Sequence, residues 1–391
     1  MSFGILAVIV CAGLGGPLLA LGRRGLVPVV VGELAAGVVV GKTGTGWVDA
    51  AQPTTAFFAQ VGFAMLMFTA GMHVPIRQPG IVRGLRRGAL AALVVGALSA
   101  PAGIGIAAAL GGGHAAVYAL LLANGSAAIL LPVLGEEKLL GDERVLPLMA
   151  QVGIADVVAI VSLPLVMQPS KAGDAGIGLV AVAAAAGAIF ALTRPVRGRA
   201  LLHRIRRASK RRAWALDLRL SLLALFTLAW IATRAGTSIL IAGFSVGLLV
   251  ALIGGPKRLS TQVTGIGAGF FVPLFFVTLG AKLDLRAVFS HPSMLELTGL
   301  LVVANVAVHA AGALATRQPL PAALAATAQL GVPAGVVTLG LQQHLLSAGQ
   351  GGAILLAALV TIALCPTGIA LLVRIRAPVS PSAAVPAAEQ P

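Results

Sequence analysis

The chain has 391 residues, of which 58% are hydrophobic and only 10% charged, with a net charge of +16 and a mean hydropathy of +0.99. Soluble globular chains carry about 45–50% apolar and about 25% charged residues, so this much apolar surface has no single core to hide in. A soluble enzyme, a secreted disulfide scaffold and a disordered protein are excluded, and long, non-alternating apolar runs point to an all-α membrane protein rather than a β-barrel.

Thirteen apolar segments are long enough to cross, or nearly cross, a bilayer core of roughly 30 Å. The first, 3–21, is followed rather than preceded by Arg23-Arg24, so it reads as a retained span and not a signal peptide. The second, 27–41, is short and carries Glu33. Spans at 54–72 and 88–110 follow. The fifth, 115–134, is interrupted by Asn124-Gly125-Ser126, and the sixth, 146–167, places Asp156 at mid-depth. After 174–193 comes an Arg-dense linker, 194–213, expected at the inner surface beside anionic headgroups. Spans at 214–233, 237–253 and 264–281 lead to the eleventh, 293–316, with Asn305 and His309. The twelfth, 319–341, contains Gly331-Val332-Pro333-Ala334-Gly335, and the thirteenth is 349–372. The Pro/Ala/Ser-rich end, 377–391, reads as disordered. Cys11 and Cys365 fall in apolar runs and read as buried thiols, with neither disulfide nor metal implied.

Cytoplasmic loops collect Lys and Arg. With the N-terminus outside, 23 of the basic residues fall inside and 5 outside, namely Lys42, Lys171, Arg234, Lys282 and Arg286. The expected topology is therefore thirteen spans, N-out and C-in, in a plasma membrane, most simply a bacterial inner membrane. The loops account for the basic balance, and with 4% aromatic residues no nucleic-acid partner is expected.

The halves resemble each other at a near-constant offset. Gly32 pairs with Gly243 at 211 residues, Gly71 with Gly280 at 209, and Gly125 with Pro333 at 208. Seven spans separate the partners, an odd number, so the repeats are inverted, as in many secondary transporters.

Asp156, in QVGIADVVAIV, has no cation near it on its own helix. A carboxylate at this depth is costly and faces a cavity or a partner. A single site that holds a proton or a small cation, but never both, is the minimal requirement for exchange. Asn124, Gly125 and Ser126 in one repeat and Gly331, Pro333 and Gly335 in the other are helix breakers at matched positions. Unwound backbone is tolerated in a bilayer only inside protein or along a cavity, and its carbonyls, with the Asn124 and Ser126 side chains, are ligands for a partly dehydrated cation. His309 is the candidate partner of the acid, with Asn305 one turn away on the same face. Glu33 is a supporting acid whose simpler reading is a structural bond to a neighbouring helix.

These residues resemble the monovalent cation:proton antiporter-2 family, which includes sodium/proton antiporters and glutathione-gated potassium efflux systems. The resemblance covers nearly all of 5–375. It rests on PVVVGELAAGVVVG at 28–41, VGFAMLMFTAGMHV at 61–74, SILIAGFSVGLLVA at 238–251 and FFVPLFFVTLGAKLDL at 270–285, together with NGSAAILLPVL and AQVGIADVVAIV. It implies an inverted-repeat antiporter fold with two broken crossing helices and a homodimer. A core part (about 88–167 and 293–372) would move against a dimerisation part (about 1–87 and 214–285) within one transport domain, 1–376. It puts the ion-binding aspartate at Asp156 and implies Na⁺ or K⁺ exchanged for H⁺ without a cofactor. Two positions depart from the family: Ala155 stands where a polar residue is usual, and His309 where a lysine often lies. One carboxylate carries one exchangeable charge, so an electroneutral cycle is expected. A proton-coupled carrier of an organic solute, or a transport-inactive sensor, on the same scaffold is the alternative. No HExxH, no Gly-x-Ser-x-Gly and no His-rich cluster is read along the chain, so an enzyme is not expected.

Overall fold

The structure is a computed structural model that describes residues 2–21, 29–74, 80–140, 142–193, 209, 211–212, 214–235, 238–254, 257–283 and 285–375. The linker 194–213 lies almost wholly outside the described residues, and the tail 377–391 entirely so. Among the described residues the regular structure is all helical. Helices α1 (Phe3–Gly13) and α2 (Gly15–Leu21) form the first apolar segment. They are followed by α3 (Val29–Val40), α4 (Pro53–Met72), α5 (Ile81–Ala109), α6 (Ala115–Ala123), α7 (Ala127–Glu136), α8 (Leu146–Met167) and α9 (Ala172–Thr193). The second half contains α10 (Leu216–Arg234), α11 (Ile239–Ile253), α12 (Lys257–Ile266), a π-helical turn at Gly267–Phe271, α13 (Val272–Lys282), α14 (Leu285–Ser290), α15 (Pro292–Ala315), α16 (Leu320–Ala326), α17 (Gly331–Gln342) and α18 (Ala348–Arg374).

Ten helical stretches of the described residues are long and apolar enough to cross a membrane, and the apolar helices Val29–Val40, Gly176–Ala191 and Ile239–Ile253 are shorter. In hydrocarbon every backbone polar group must be satisfied within the protein, which is why apolar runs of this length become helices. Their starts are written locally. Ser238 accepts the Leu240 N–H, and Ser347 with Gln350 closes a capping box on α18. Pro53 and Pro292 open α4 and α15, where a missing N–H costs nothing. Exposed Leu18, Val39, Phe57, Leu93, Val180, Leu223, Trp230 and Val303 give the outside an apolar surface suited to lipid. The protein is a multi-pass membrane protein.

Two close crossings hold part of the helix set together. On α3 and α13, a Cβ on Gly280 would lie 2.3 Å from the Leu34 carbonyl oxygen and 3.1 Å from the Gly37 Cα. On α4 and α11, a Cβ on Gly247 would lie 2.2 Å from the Phe68 carbonyl oxygen and 2.8 Å from the Gly71 Cα. Only glycine permits such backbone contact. Around the two interrupted segments a separate apolar cluster forms, from Ala127, Leu130 and Leu134 of α7, Leu148, Met149 and Val152 of α8, Ala322, Ala325 and Ala326 of α16, and Cys365 and Ile369 of α18. It positions the site. Cys365 is buried as expected, whereas Cys11 is exposed, because α1 turns much of its surface outward.

Candidate ion-binding site

The site forms where two helices stop and restart. α6 ends at Ala123, Asn124, Gly125 and Ser126 are extended or irregular, and α7 begins at Ala127. In the second half α16 ends at Ala326 and α17 begins at Gly331. The breaks meet: a Cβ on Gly125 would lie 3.0 Å from the Ala326 carbonyl oxygen and 3.3 Å from Val152.

The second break differs from the expected one. It occupies Thr327–Leu330, and Gly331, Pro333 and Gly335 lie inside the first turns of α17, fully buried. The reason is that a helix's first turn has no intrahelical partner for its N–H groups, so Pro333, third in α17, sacrifices nothing there. The breaking residues are polar ones. Thr327 Oγ1 donates to the Leu324 carbonyl at 2.7 Å, Asn305 Nδ2 donates to the Thr327 carbonyl at 3.3 Å, and Gln329 Nε2 donates across to the Leu121 carbonyl of α6 at 2.6 Å. Side chains thus take up the backbone groups that the missing helical turn frees. Thr327 and Gln329 were legible as polar residues at membrane depth, but they were masked by the more familiar Gly and Pro signals beside them.

Asp156 lies mid-way along α8 and is 2% exposed. Its Oδ2 accepts the N–H of Ala127, the first residue of α7, at 3.2 Å. The carboxylate therefore sits at the positive end of a half-helix, where an anion is favoured. Among the described residues no cation pairs with it: the ion pairs are Arg83 with Glu143 and Arg144 with Asp142, at the turn that precedes α8 and more than two helical turns from Asp156. Asn124 is completely buried, and neither its amide nitrogen nor its amide oxygen has a hydrogen-bond partner. The Asn305 Oδ1 is likewise buried and unpartnered. Buried polar atoms are rarely left so, and oxygen atoms of this kind are the ligands that a hard cation takes. Ser126 caps α7 without the usual side-chain bond, which leaves its hydroxyl outside the capping role.

His309 does not pair with Asp156. Its Nδ1 donates to the Asn305 carbonyl at 3.0 Å, and no ion pair joins it to any described acid. A helical histidine reaches its own i−4 carbonyl at no cost in geometry, and this satisfies the ring locally. Glu33 also stands apart. α3 packs on α1, α2 and α13, whereas α8 packs on α5, α6, α7, α9, α11, α16 and α17. Glu33 is buried with one carboxylate oxygen unpartnered. A further polar group, missed from the sequence, joins Gln318 Nε2 to Gln151 Oε1 at 3.2 Å and to Thr316 Oγ1 at 3.0 Å, on the start of α8. The sequence does contain one Gly-x-Ser-x-Gly, contrary to the expectation above. Gly243-Phe244-Ser245-Val246-Gly247 has the spacing of a hydrolase nucleophile elbow, but it runs through the middle of α11. An elbow is a sharp strand-to-helix turn.

Residues 6–375 match the family described as sodium/hydrogen exchanger, transmembrane. The chain belongs to the sodium/hydrogen exchanger family. It is thus one of a transporter family rather than an enzyme, in line with the resemblance read from its motifs. Among relatives of the chain, "Putative Na(+)/H(+) antiporter YjbQ" of Bacillus subtilis is 23% identical over 87% of this chain and 58% of its own length. K(+) efflux antiporter 1, chloroplastic, of Arabidopsis thaliana is 29% identical over 70% of this chain and 24% of its own. Na(+)/H(+)-K(+) antiporter GerN of Bacillus cereus is 24% identical over 66% of this chain and 65% of its own. The chain thus spans under three-fifths of the length of the first of these curated relatives and about a quarter of the second. The solved structure of the sodium proton antiporter MjNhaP1 from Methanocaldococcus jannaschii superposes with a TM-score of 0.63 at 14% identity, covering 95% of this chain and 98% of that one. At that identity the likeness is one of fold.

Proposed function

We propose that the protein exchanges a monovalent cation, Na⁺ or K⁺, for H⁺ across a plasma membrane by alternating access, with Asp156 holding the proton and the cation in turn. One observation carries this reading. A buried carboxylate without a cationic partner lies at the junction of two interrupted helices, bonded to the Ala127 N–H and neighboured by the orphan amide of Asn124. When the proton leaves, the carboxylate needs a positive charge, and the freed acceptors supply the rest of a dehydrated cation's shell. When a proton arrives, the cation loses its main ligand and departs. The relatives' names divide between Na⁺ and K⁺, so either ion is a candidate cargo.

The finer architecture belongs to the same reading: thirteen spans, N-out and C-in, in two inverted repeats, with the core part (about 88–167 and 293–372) moving against a dimerisation part (about 1–87 and 214–285) in a homodimer. The glycine crossings support the repeat. The α3–α13 and α4–α11 pairs exchange places under the sequence offset that relates Gly71 to Gly280. With one exchangeable charge and no fixed cation opposite Asp156, the cycle is electroneutral. The test uses everted vesicles without native antiporters, acidified inside and challenged in turn with Na⁺, K⁺ and Li⁺. Collapse of ΔpH by one cation with the intact protein, and not with Asp156→Asn, supports exchange. Failure of every cation sinks it.

A further inference from the structure

Away from Asp156, an open cavity and a narrow crevice meet at one side chain. The cavity, about 700 Å³, lies between the 42–51 loop and the end of α17 and is lined by Lys42, Asp49, Lys282, Gln342 and His344. The crevice, with about 10 Å³ of room, runs inward between α4, α13 and α17 past Gln60, Thr278 and Thr338. That is space for a single water. Lys282, the last residue of α13, lines both. It is half-buried, and among the described residues no carboxylate pairs with it.

Three features make this more than a surface lysine. The crevice is lined by polar groups that the protein leaves unpaired: the hydroxyls of Thr278 and Thr338 are buried and have no hydrogen-bond partner. Its lining includes Phe63 and Phe275, stacked with ring centroids 5.0 Å apart. A Cβ on Gly335 of α17 would lie 3.4 Å from Phe63 and 2.8 Å from Leu163 of α8, the helix of Asp156. So a line runs from open cavity to ammonium, to unpaired hydroxyls, to an aromatic pair, to the helix that holds the site. It follows the seam between α4 and α13 on one side and α17, which restarts after the second break, on the other. An ammonium has the charge and roughly the hydrogen-bonding demand of a hydrated K⁺ or Na⁺, and it is attached to the wall.

We propose that Lys282 is a tethered cation at the outer mouth of the ion route, where its ammonium stands in the entrance that an external Na⁺ or K⁺ must pass. This rests on the exchange reading and on the orientation that places the 42–51 loop outside. An external ion meets a fixed like charge before it meets Thr278 and Thr338, whereas an ion arriving from the cytoplasm does not. The residue therefore weakens external uptake and favours release, biasing exchange toward export of the cation. Asp49, the acid on the same cavity, accepts the Ala51 N–H and forms an ion pair with neither Lys42 nor Lys282.

The experiment measures cation-dependent proton flux in proteoliposomes with the cation supplied from each side in turn, for the intact protein, Lys282→Met and Lys282→Arg. Removal of one like charge a few ångströms from the ion's path is expected to lower the half-saturating external cation concentration about three- to tenfold. The cytoplasmic-side value and the maximal rate stay unchanged, and Lys282→Arg behaves as the intact protein. Equal shifts from both sides, or none from outside, overturn the gate. A second variant, Lys282→Cys in a Cys11→Ser background, reports the mouth directly. Reaction with a membrane-impermeant thiol reagent added outside is expected, and protection from that side refutes the placement. If the intact protein moves no cation at all, the exchange reading falls and the gate with it. If it exchanges and Lys282→Met is silent, only the gate falls.

Discussion

Asp156→Asn separates the charge of the site from its shape. Asparagine fills the same volume, and its amide oxygen can still accept the Ala127 N–H that now bonds Asp156 at 3.2 Å. A retained hydrogen bond of this kind is worth about 0.5–1.5 kcal/mol, so the fold is expected to lose less than about 1 kcal/mol. Asp156→Ala, by contrast, leaves that N–H buried and unpaired, at about 1–3 kcal/mol, and opens a void as well. Function runs the other way. Both variants lose the exchangeable charge, and cation-driven collapse of ΔpH in everted vesicles is expected to fall at least a hundredfold. A ligand at a hundred times its dissociation constant stabilises by about 2.7 kcal/mol. In detergent, the transported cation is therefore expected to raise the melting temperature of the intact protein by several degrees and that of Asp156→Asn not at all. An Asn variant that retains either the ΔpH response or the cation-dependent shift would refute the assignment of the site to Asp156.

The remaining expectations concern the breaks, the packing and the charge balance. Gln329→Leu removes the bond to the Leu121 carbonyl that ties one broken segment to the other, costing about 1–2 kcal/mol; exchange rate should drop more than cation affinity in vesicle assays. Gly125→Val drives a side chain toward the Ala326 carbonyl, only 3.0 Å from where the first carbon would sit, so exchange should be lost while the protein still reaches the membrane. Gly37→Ala places a methyl 2.3 Å from the Val277 carbonyl oxygen, and overpacking of this kind costs about 1–3 kcal/mol, seen as earlier unfolding in a thermal scan. An imposed membrane potential at fixed ΔpH should leave the exchange rate unchanged, and acceleration by the potential would exclude a one-for-one cycle.

The helices were readable because hydrocarbon leaves an apolar chain few choices: each of the thirteen segments falls on one helix, an interrupted pair or, at 264–281, a run of helix, π turn and helix. Asp156 and Asn124 were readable for the same reason, since a polar side chain at mid-depth has to be accounted for. What escaped the sequence was pairing. His309 and Asp156 look like mutual partners by depth alone, but the ring reaches a carbonyl on its own helix first, and depth says nothing of rotation about the axis. The second break was assigned to Gly331–Gly335 because Gly and Pro disrupt helices in general. In place, those residues begin α17, and the interruption at Thr327–Leu330 is held by side chains of α15 and by Gln329 reaching α6, contacts between residues as many as 208 positions apart. No local signal carries that information.

The glycine crossings at Gly37–Gly280 and Gly71–Gly247 have a mechanical consequence. Side chains that interdigitate can change rotamer and let helices slide, but backbone resting on backbone has no such slack. In the alternating-access cycle proposed above, these four helices would serve as a stator. Whatever displacement carries an ion must be taken up elsewhere, along the contact that α17 makes with them. The small residues of α17 that face this contact, Gly335 among them, would then act as a bearing surface. On this view, bulk added there slows the stroke without touching the ion, whereas bulk added at the crossings dismantles the frame.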